Sequence, residues 1–360
     1  VTSAPKHPRL AYIDWARGIA VLLMIEAHAV DAWTSLAERR STAYRDAIVL
    51  GGFAAPLFLW LAGLGVVLAA TATLKRGGSR REATAAVCRR GLEIFVLAFL
   101  FRLQAFIVSP GGHPITLFRV DILNIMGPAI IAAGLVWAIA ESPLILAALY
   151  AALTMCVAMA TPIVRTLGAL DVLPMWMQWY IRPAGEYTTF TVFPWAGFLF
   201  AGAAVGVVLS SARMSRHRVH AAFGAAGLML VWIGFYTASL PAIYRESSFW
   251  TSSPTYFSIR LGVILAAFGA LYAIEQVANR YAVAFPGLEL FGRRSLFVYW
   301  IHVELVYGYA TWPIHRRLPI WGVGLAYVVF AASMYWAAVA FDRWRVSRPK
   351  ITLHGKVQTA

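Results

Sequence analysis

Charge is scarce in this chain: 13% of its 360 residues are Asp, Glu, Lys or Arg, about half the fraction of an ordinary soluble domain. Stretches near 20 residues with few or no charges recur along the whole length, and 60% of the residues are hydrophobic. Such composition excludes a soluble globular fold and predicts membrane spans. Cysteine is scarcer still. Cys88 and Cys156 are the two thiols, and neither has a neighbour at metal-ligand spacing, which argues against a disulfide framework or a zinc site. Both read as packing residues. P-loop, dinucleotide and HExxH signatures are also missing, so no motif points to phosphoryl transfer, hydride transfer or a metal centre.

Acidic residues are the minority sign, 16 against 31 basic, for a net charge of +15. That excess invites a nucleic-acid reading, but the cations sit in short loops between apolar runs and not along one stripe with interleaved aromatics. This is how a membrane protein fixes its orientation, and anionic lipid head groups are sufficient partners. No nucleic-acid partner is expected.

About ten spans are expected, roughly 10–31, 47–73, 88–108, 119–140, 143–163, 188–211, 219–240, 255–277, 287–310 and 319–341. Backbone groups in lipid must satisfy one another within the segment, so each is a helix. The fold class is all-α, a polytopic bundle. No composition shift marks a second domain, and 1–360 reads as one membrane domain. The first apolar run, from Leu10, leads into a second span and reads as an uncleaved helix, not a signal peptide.

Ten spans put both termini on one side. Seventeen cations lie on that side (Lys6, Arg9, Lys75, Arg76, Arg80, Arg81, Arg89, Arg90, Arg213, Arg216, Arg218, Arg280, Arg343, Arg345, Arg348, Lys350 and Lys356) and nine on the other (Arg39, Arg40, Arg45, Arg119, Arg165, Arg182, Arg245, Arg316 and Arg317). The positive-inside rule then makes both termini cytoplasmic. One weak internal similarity exists: Pro56-LFLWLAGLGVVL in the second span and Pro194-WAGFLFAGAAVGVVL in the sixth. It reads more simply as two small-residue packing faces than as a true repeat.

Charges within a span are costly, about 2.5–3.5 kcal/mol each on insertion scales, so each needs a reason. Arg17, Arg102, Arg260, Arg293 and Arg294 remain after the loop cations are removed, together with Asp14, Glu26, His28, Glu93, Asp121, Asn124, His302 and Glu304. The load points to a polar cavity or passage. The first span is the richest. Asp14 and Arg17, three apart, share a face and can pair. Arg17 and His28 are eleven apart, about three turns, and project from the same face about 16 Å apart along the axis.

That geometry suits acyl transfer from a nucleotide-bearing donor. Arginine near the cytoplasmic mouth can hold phosphate as a bidentate donor. A deeper histidine can act as general base on a hydroxyl or amine, or as an acyl carrier. The separation is comparable to the pantetheine arm of coenzyme A. The plainer alternative is an interfacial anchor at Arg17 and a packing histidine at His28. Glu26 lies on another face and is expected to pair with a different helix.

The ninth span holds the other dense patch, Gly292-Arg293-Arg294-Ser295 followed by Tyr299, His302 and Glu304. Ser295, Tyr299 and His302 share a face by helical periodicity. Arg293 and Arg294 sit at the cytoplasmic entry, where phosphate would arrive, although both could simply snorkel. Asp121 and Asn124 open the fourth span after Arg119, and an ion pair with a helix cap explains them as well as a binding role does. Trp176, Trp179 and Tyr180 could line a sugar site or form an interfacial belt.

The first span, RLAYIDWARGIAVLLMIEAHA, resembles the opening of the transmembrane acyltransferase superfamily. Its acyltransferase type three members carry Arg, ten residues and His, the spacing of Arg17 to His28. GRRSLFVYWIH at 292–302 is similar to the late G-x-x-S-L-x-x-Y-x-x-H segment of those proteins, and P-L-F-L-W-L-A-G looks like their second helix. RVDILNIMGPA at 119–129 and FPWAGFLFAGAAVG at 193–206 resemble a second branch, the heparan glucosaminide N-acetyltransferases and their bacterial relatives. The resemblance implies an acyl-CoA donor, typically acetyl-CoA, entering from the cytoplasm, and a saccharide or glycolipid acceptor reached from the other side.

By that carry-over His28 is the catalytic base or acyl carrier, and Arg17 supports the donor. One departure matters: the heparan branch places its active histidine in the loop before the second span, and residues 31–46 here hold none. N- and O-acylation therefore both remain open. So does the oligomeric state, a homodimer included. Lean loops suggest a bacterial inner membrane. The alternative function is a sugar or lipid-linked-substrate transporter or flippase, whose expected mark is paired broken helices in two inverted halves.

The topology is testable by labelling. In a background without Cys88 and Cys156, a cysteine at Ser215 should react with an impermeant maleimide from the cytoplasmic side alone, and one at Ser247 from the opposite side alone. The reverse pattern contradicts the orientation.

Overall fold

The computed structural model describes residues 10–108 and 113–347. Lys6, Arg9, Arg348, Lys350 and Lys356 of the charge census lie outside them. Among the described residues every regular element is helical: α1 (Ala11–Trp33), α2 (Thr42–Gly51), α3 (Ala54–Lys75), α4 (Arg80–Val108), α5 (Ile122–Ile139), α6 (Pro143–Thr166), α7 (Met175–Ile181), α8 (Val192–Ser211), α9 (Arg216–Ala238), α10 (Pro254–Arg280), α11 (Pro286–Arg293), α12 (Ser295–Tyr307) and α13 (Ile320–Ser347). Two isolated bridges, Thr34 to Leu318 and Val120 to Thr188, tie loops together.

Eight helices are long and apolar enough to cross a membrane: the continuous α2–α3 segment, α4, α5, α6, α8, α9, α10 and α13. The chain is therefore an integral membrane protein. The expectation of about ten spans is met for these eight. The other two expected spans are helical but different in kind. The first, α1, has the length, 23 residues, but holds Asp14, Arg17, Glu26, His28 and Asp31. The ninth is kinked at Arg294 (φ −111°, ψ 17°) into α11 and the 13-residue α12. Backbone bonds from Arg294 N to Leu290 O and from Val298 N to Arg294 O carry the chain through the kink.

Sequence punctuates the helices where lipid would otherwise leave orphan N–H groups. Ser142 and Ser253 cap α6 and α10, each with Pro at the first helical position, and Asp121 with Asn124 closes a capping box on α5. Helices α4, α9 and α13 form the periphery and expose apolar side chains, among them Leu92, Val96, Leu228, Trp232, Leu325 and Val328. Those faces suit lipid. Cys156, read as a packing residue, lies exposed on α6 instead.

Helix α1 is central despite its four charged residues, Asp14, Arg17, Glu26 and Asp31. Fourteen of the residues of α1 are buried, and it touches α2, α3, α10, α11, α12 and α13. Its crossing with α11 is set by two glycines. A Cβ on Gly18 would stand 2.3 Å from Leu288 O, and one on Gly292 would stand 2.1 Å from Asp14 O. Each glycine thus lies on the carbonyl four residues before the other, as in a symmetric crossing of parallel helices. The similar segments in the second and sixth spans make a second crossing of this kind. Cβ atoms on Gly63 and Gly202 would each stand 1.8 Å from Leu199 O and Trp60 O respectively. Those segments are packing faces, and they pack on each other.

Gly292→Ala should therefore cost about 1–3 kcal/mol through overpacking, despite alanine's better helix propensity. Gly224→Ala, where a new Cβ meets nothing within 4 Å, should be neutral or stabilising by up to about 1 kcal/mol. Thermal unfolding in detergent compares them, and similar melting of the two variants contradicts the crossing.

Candidate functional site

Carried upward from the glycine crossing, the same register brings two histidines together. Gly292 follows Gly18 by 274 residues (292 − 18), and His302 follows His28 by the same 274. On parallel helices that fixed offset places the imidazoles opposite one another. His28 Nδ1 and His302 Nε2 are 2.8 Å apart, with ring planes within 10°. Further along, Trp33 Nε1 donates to Val306 O at 3.2 Å, which holds the two helices together beyond the histidines.

The tautomers follow from the partners. His302 Nδ1 faces the carbonyls of Val298 (2.8 Å) and Tyr299 (2.9 Å), which are acceptors only, so this nitrogen carries a proton. In a neutral ring Nε2 then holds the lone pair and accepts from His28 Nδ1–H. His28 Nε2 is left deprotonated. His302 is fully buried, whereas His28 is partly exposed. The pair thus leaves one imidazole lone pair, on His28 Nε2, outside the hydrogen bond between the two rings.

Around His28, Tyr307 stands edge-on with ring centroids 5.7 Å apart, and its hydroxyl donates to Asp31 Oδ2 at 2.8 Å. Arg39 donates to the Asp31 carbonyl and lies 3.7 Å from its carboxylate. On the other flank Tyr299 touches His302, centroids 6.0 Å apart, and Phe101, 5.4 Å apart. Next to Phe101, Arg102 of α4 forms an ion pair with Asp121, both about 15% exposed at most. Asn124 is buried, accepts from Asp121 N at 3.0 Å, and lies close to the Tyr180 hydroxyl of α7. Burial raises the pKa of that Tyr180 hydroxyl, which stays neutral.

His28, His302 and Tyr299 therefore meet between α1 and α12, and Phe101 links Tyr299 to the neighbouring Arg102–Asp121 pair of α4 and α5. The other sequence-selected residues lie elsewhere. Asp14 and Arg17 pair at 3.2 Å, as their spacing predicts, at the opposite end of α1. Arg293 and Arg294 meet that end through the Gly292–Asp14 contact. Arg293 is 3.7 Å from Glu289. Arg294 is held by Asp342 of α13 and lies 5.6 Å from the Phe341 ring centroid, so its guanidinium is already engaged. Ser295 begins α12 at the kink.

Two local expectations change. Asp121 pairs with Arg102 and not with the adjacent Arg119, whose guanidinium binds the Thr189 hydroxyl at 3.0 Å. Among the described residues Glu26 acquires no hydrogen-bonding partner on another helix. Its Oε2 is sealed against Gly51, where a Cβ would come within 2.5 Å. Sequence reasoning passed over Tyr307, Asp31 and the role of Arg102. Only the charge of Arg102 within a span marked it, and its partner is a tertiary fact.

The model of the heparan-alpha-glucosaminide N-acetyltransferase catalytic family matches residues 9–245, which include His28, Arg102, Asp121 and Asn124 but not His302. No curated protein matches the chain.

Removing one partner of the Arg102–Asp121 pair leaves a buried charge. Arg102→Ala should destabilise the protein by about 3–5 kcal/mol, and Arg102→Met with Asp121→Leu should recover much of that loss. Melting curves of the single and double variants decide. Equal destabilisation by both would show that the pair itself does not carry the effect.

The chain belongs to the heparan-alpha-glucosaminide N-acetyltransferase catalytic family, a family of membrane acetyltransferases.

Proposed function

We propose that this membrane acetyltransferase moves an acetyl group from acetyl-CoA to an amine or hydroxyl of a saccharide acceptor, with His28 as general base and His302 as the residue that holds its tautomer. The observation that carries this reading is the 2.8 Å His28–His302 contact with His302 Nδ1 committed to backbone carbonyls. Family membership favours the enzyme over the transporter alternative, and the family's description names a glucosaminide acceptor.

Donor and acceptor then use the two ends of α1. Coenzyme A phosphates meet Arg17, held by Asp14, with Arg293 and Ser295 nearby, from the cytoplasmic side. The thioester reaches His28 about 16 Å further along the helix. The acceptor approaches from the opposite end, past Tyr307 and the Arg102–Asp121–Asn124 region. As its nitrogen or oxygen attacks the thioester carbon, His28 Nε2 takes the proton. The C–S bond breaks, and the imidazolium returns that proton to the departing CoA sulfur. During the step the positive charge on His28 is stabilised by the acceptor lone pair of His302 Nε2. His302 thus orients the base without touching substrate.

Release of CoA thiol from acetyl-CoA in the presence of glucosamine, by the detergent-purified chain, tests the reading. His28→Ala should lower the rate about 10²–10⁴-fold with the fold intact. Full activity in that variant refutes the assignment. The pH dependence has a definite sign: the base must be neutral, so kcat/KM should rise with pH and level off once His28 is deprotonated. A rate that falls over this limb contradicts general-base catalysis by His28.

A further inference from the structure

Arginines in this bundle are mostly matched with carboxylates; Arg260 and Arg165, the latter in the last turn of α6, are exceptions among the described residues. Arg17 faces Asp14, Arg102 faces Asp121, Arg182 faces Asp171 and Arg294 faces Asp342. Arg260, on α10, pairs with no carboxylate among the described residues, and its Nε has no hydrogen-bond partner. Its guanidinium lies 4.2 Å from the ring centroid of Tyr256 and 6.0 Å from that of Trp195. An uncompensated cation in a span is rare and marks function by default.

Position connects this cation to the histidines. One Nη of Arg260 lies 3.1 Å from where a Cβ on Gly52 would stand, and a Cβ on Gly51 would come within 2.7 Å of the Ala27 Cβ. The path from Arg260 to the residue before His28 therefore crosses only the two glycines that join α2 to α3. Any side chain at Gly52 would cover the guanidinium. Depth agrees as well: Arg260 is six residues from the start of α10 and His28 five from the end of α1, about 9 and 8 Å at helical rise. Both ends face the same side of the bundle.

We propose that Arg260 is the anion-recognition residue of the acceptor site, receiving a carboxylate or sulfate of an acidic sugar beside an aromatic wall of Tyr256 and Trp195. The planar guanidinium supplies the paired donors such an anion needs, and the anion provides the counter-charge that the protein withholds. Calling the ligand an acceptor rests on the acetyl-transfer reading. The anion site itself does not.

Binding to the full-length purified chain, followed by tryptophan emission, separates these claims, with glucuronate, glucose and coenzyme A as probes. Wild type should bind glucuronate at least about tenfold tighter than glucose, the scale of one charge-assisted contact. Arg260→Gln should abolish that preference, and Arg260→Lys should keep part of it. Melting temperatures alongside identify any variant that fails to fold, and the lysine variant then carries the comparison. No preference in wild type, or an undiminished preference in Arg260→Gln, overturns the proposal. Weakened coenzyme A binding with glucuronate unaffected would overturn it in favour of a donor-phosphate contact. An Arg260-dependent preference in a protein that transfers no acetyl group would keep the anion site and sink the acetyl-transfer reading.

Discussion

The close approach of α1 and α11 at Gly18 and Gly292 is the constraint on which the site depends. Two parallel helices without side chains at their crossing can bring backbone within van der Waals contact of backbone. Their register is then fixed along their whole shared length. Ten residues beyond each glycine stands a histidine, His28 on one helix and His302 on the other. The kink at Arg294 falls between crossing and histidine and leaves the register intact, because backbone bonds continue through it. A one-residue slip would rotate either imidazole by about 100° and break the pair.

Charge is distributed on the same plan. Lipid tolerates an ionised side chain only when it is neutralised or shielded, and most of the intramembrane arginines here have a carboxylate on their own or a neighbouring helix. These pairs divide between two ends of the bundle, one around Asp14 and Arg17 and one around Arg102 and Asp121. The histidine pair sits between them, nearer the second. Placing α1 with its charges at the centre, while α4, α9 and α13 turn apolar side chains outward at the rim, lets buried polar groups coexist with a lipid-compatible exterior.

Much of this was legible in the sequence because it is local. Apolar runs foretold the helices, the three-residue spacing foretold the Asp14–Arg17 pair, and the small residues of the second and sixth spans foretold packing faces. His28 and His302 each stood out as polar groups within a span. Their contact did not, since it joins residues 274 apart and needs the crossing geometry. The partner of Asp121 was misplaced for the same reason: Arg119 is adjacent in sequence, but Arg102 on α4 is adjacent in space. Glu26 and Arg260 were visible as charges within spans, while their lack of counter-charges among the described residues emerges only from the packed helices.

The central claim is that His28 and His302 act as one unit, and a double-mutant cycle on acetyl transfer tests it most directly. Rates for His28→Ala, His302→Ala and the double variant would be compared with wild type. Groups that work through each other are strongly non-additive, so the double variant should lose no more than His28→Ala alone. Multiplicative losses, with the double variant slower by the product of the two single effects, would contradict the dyad.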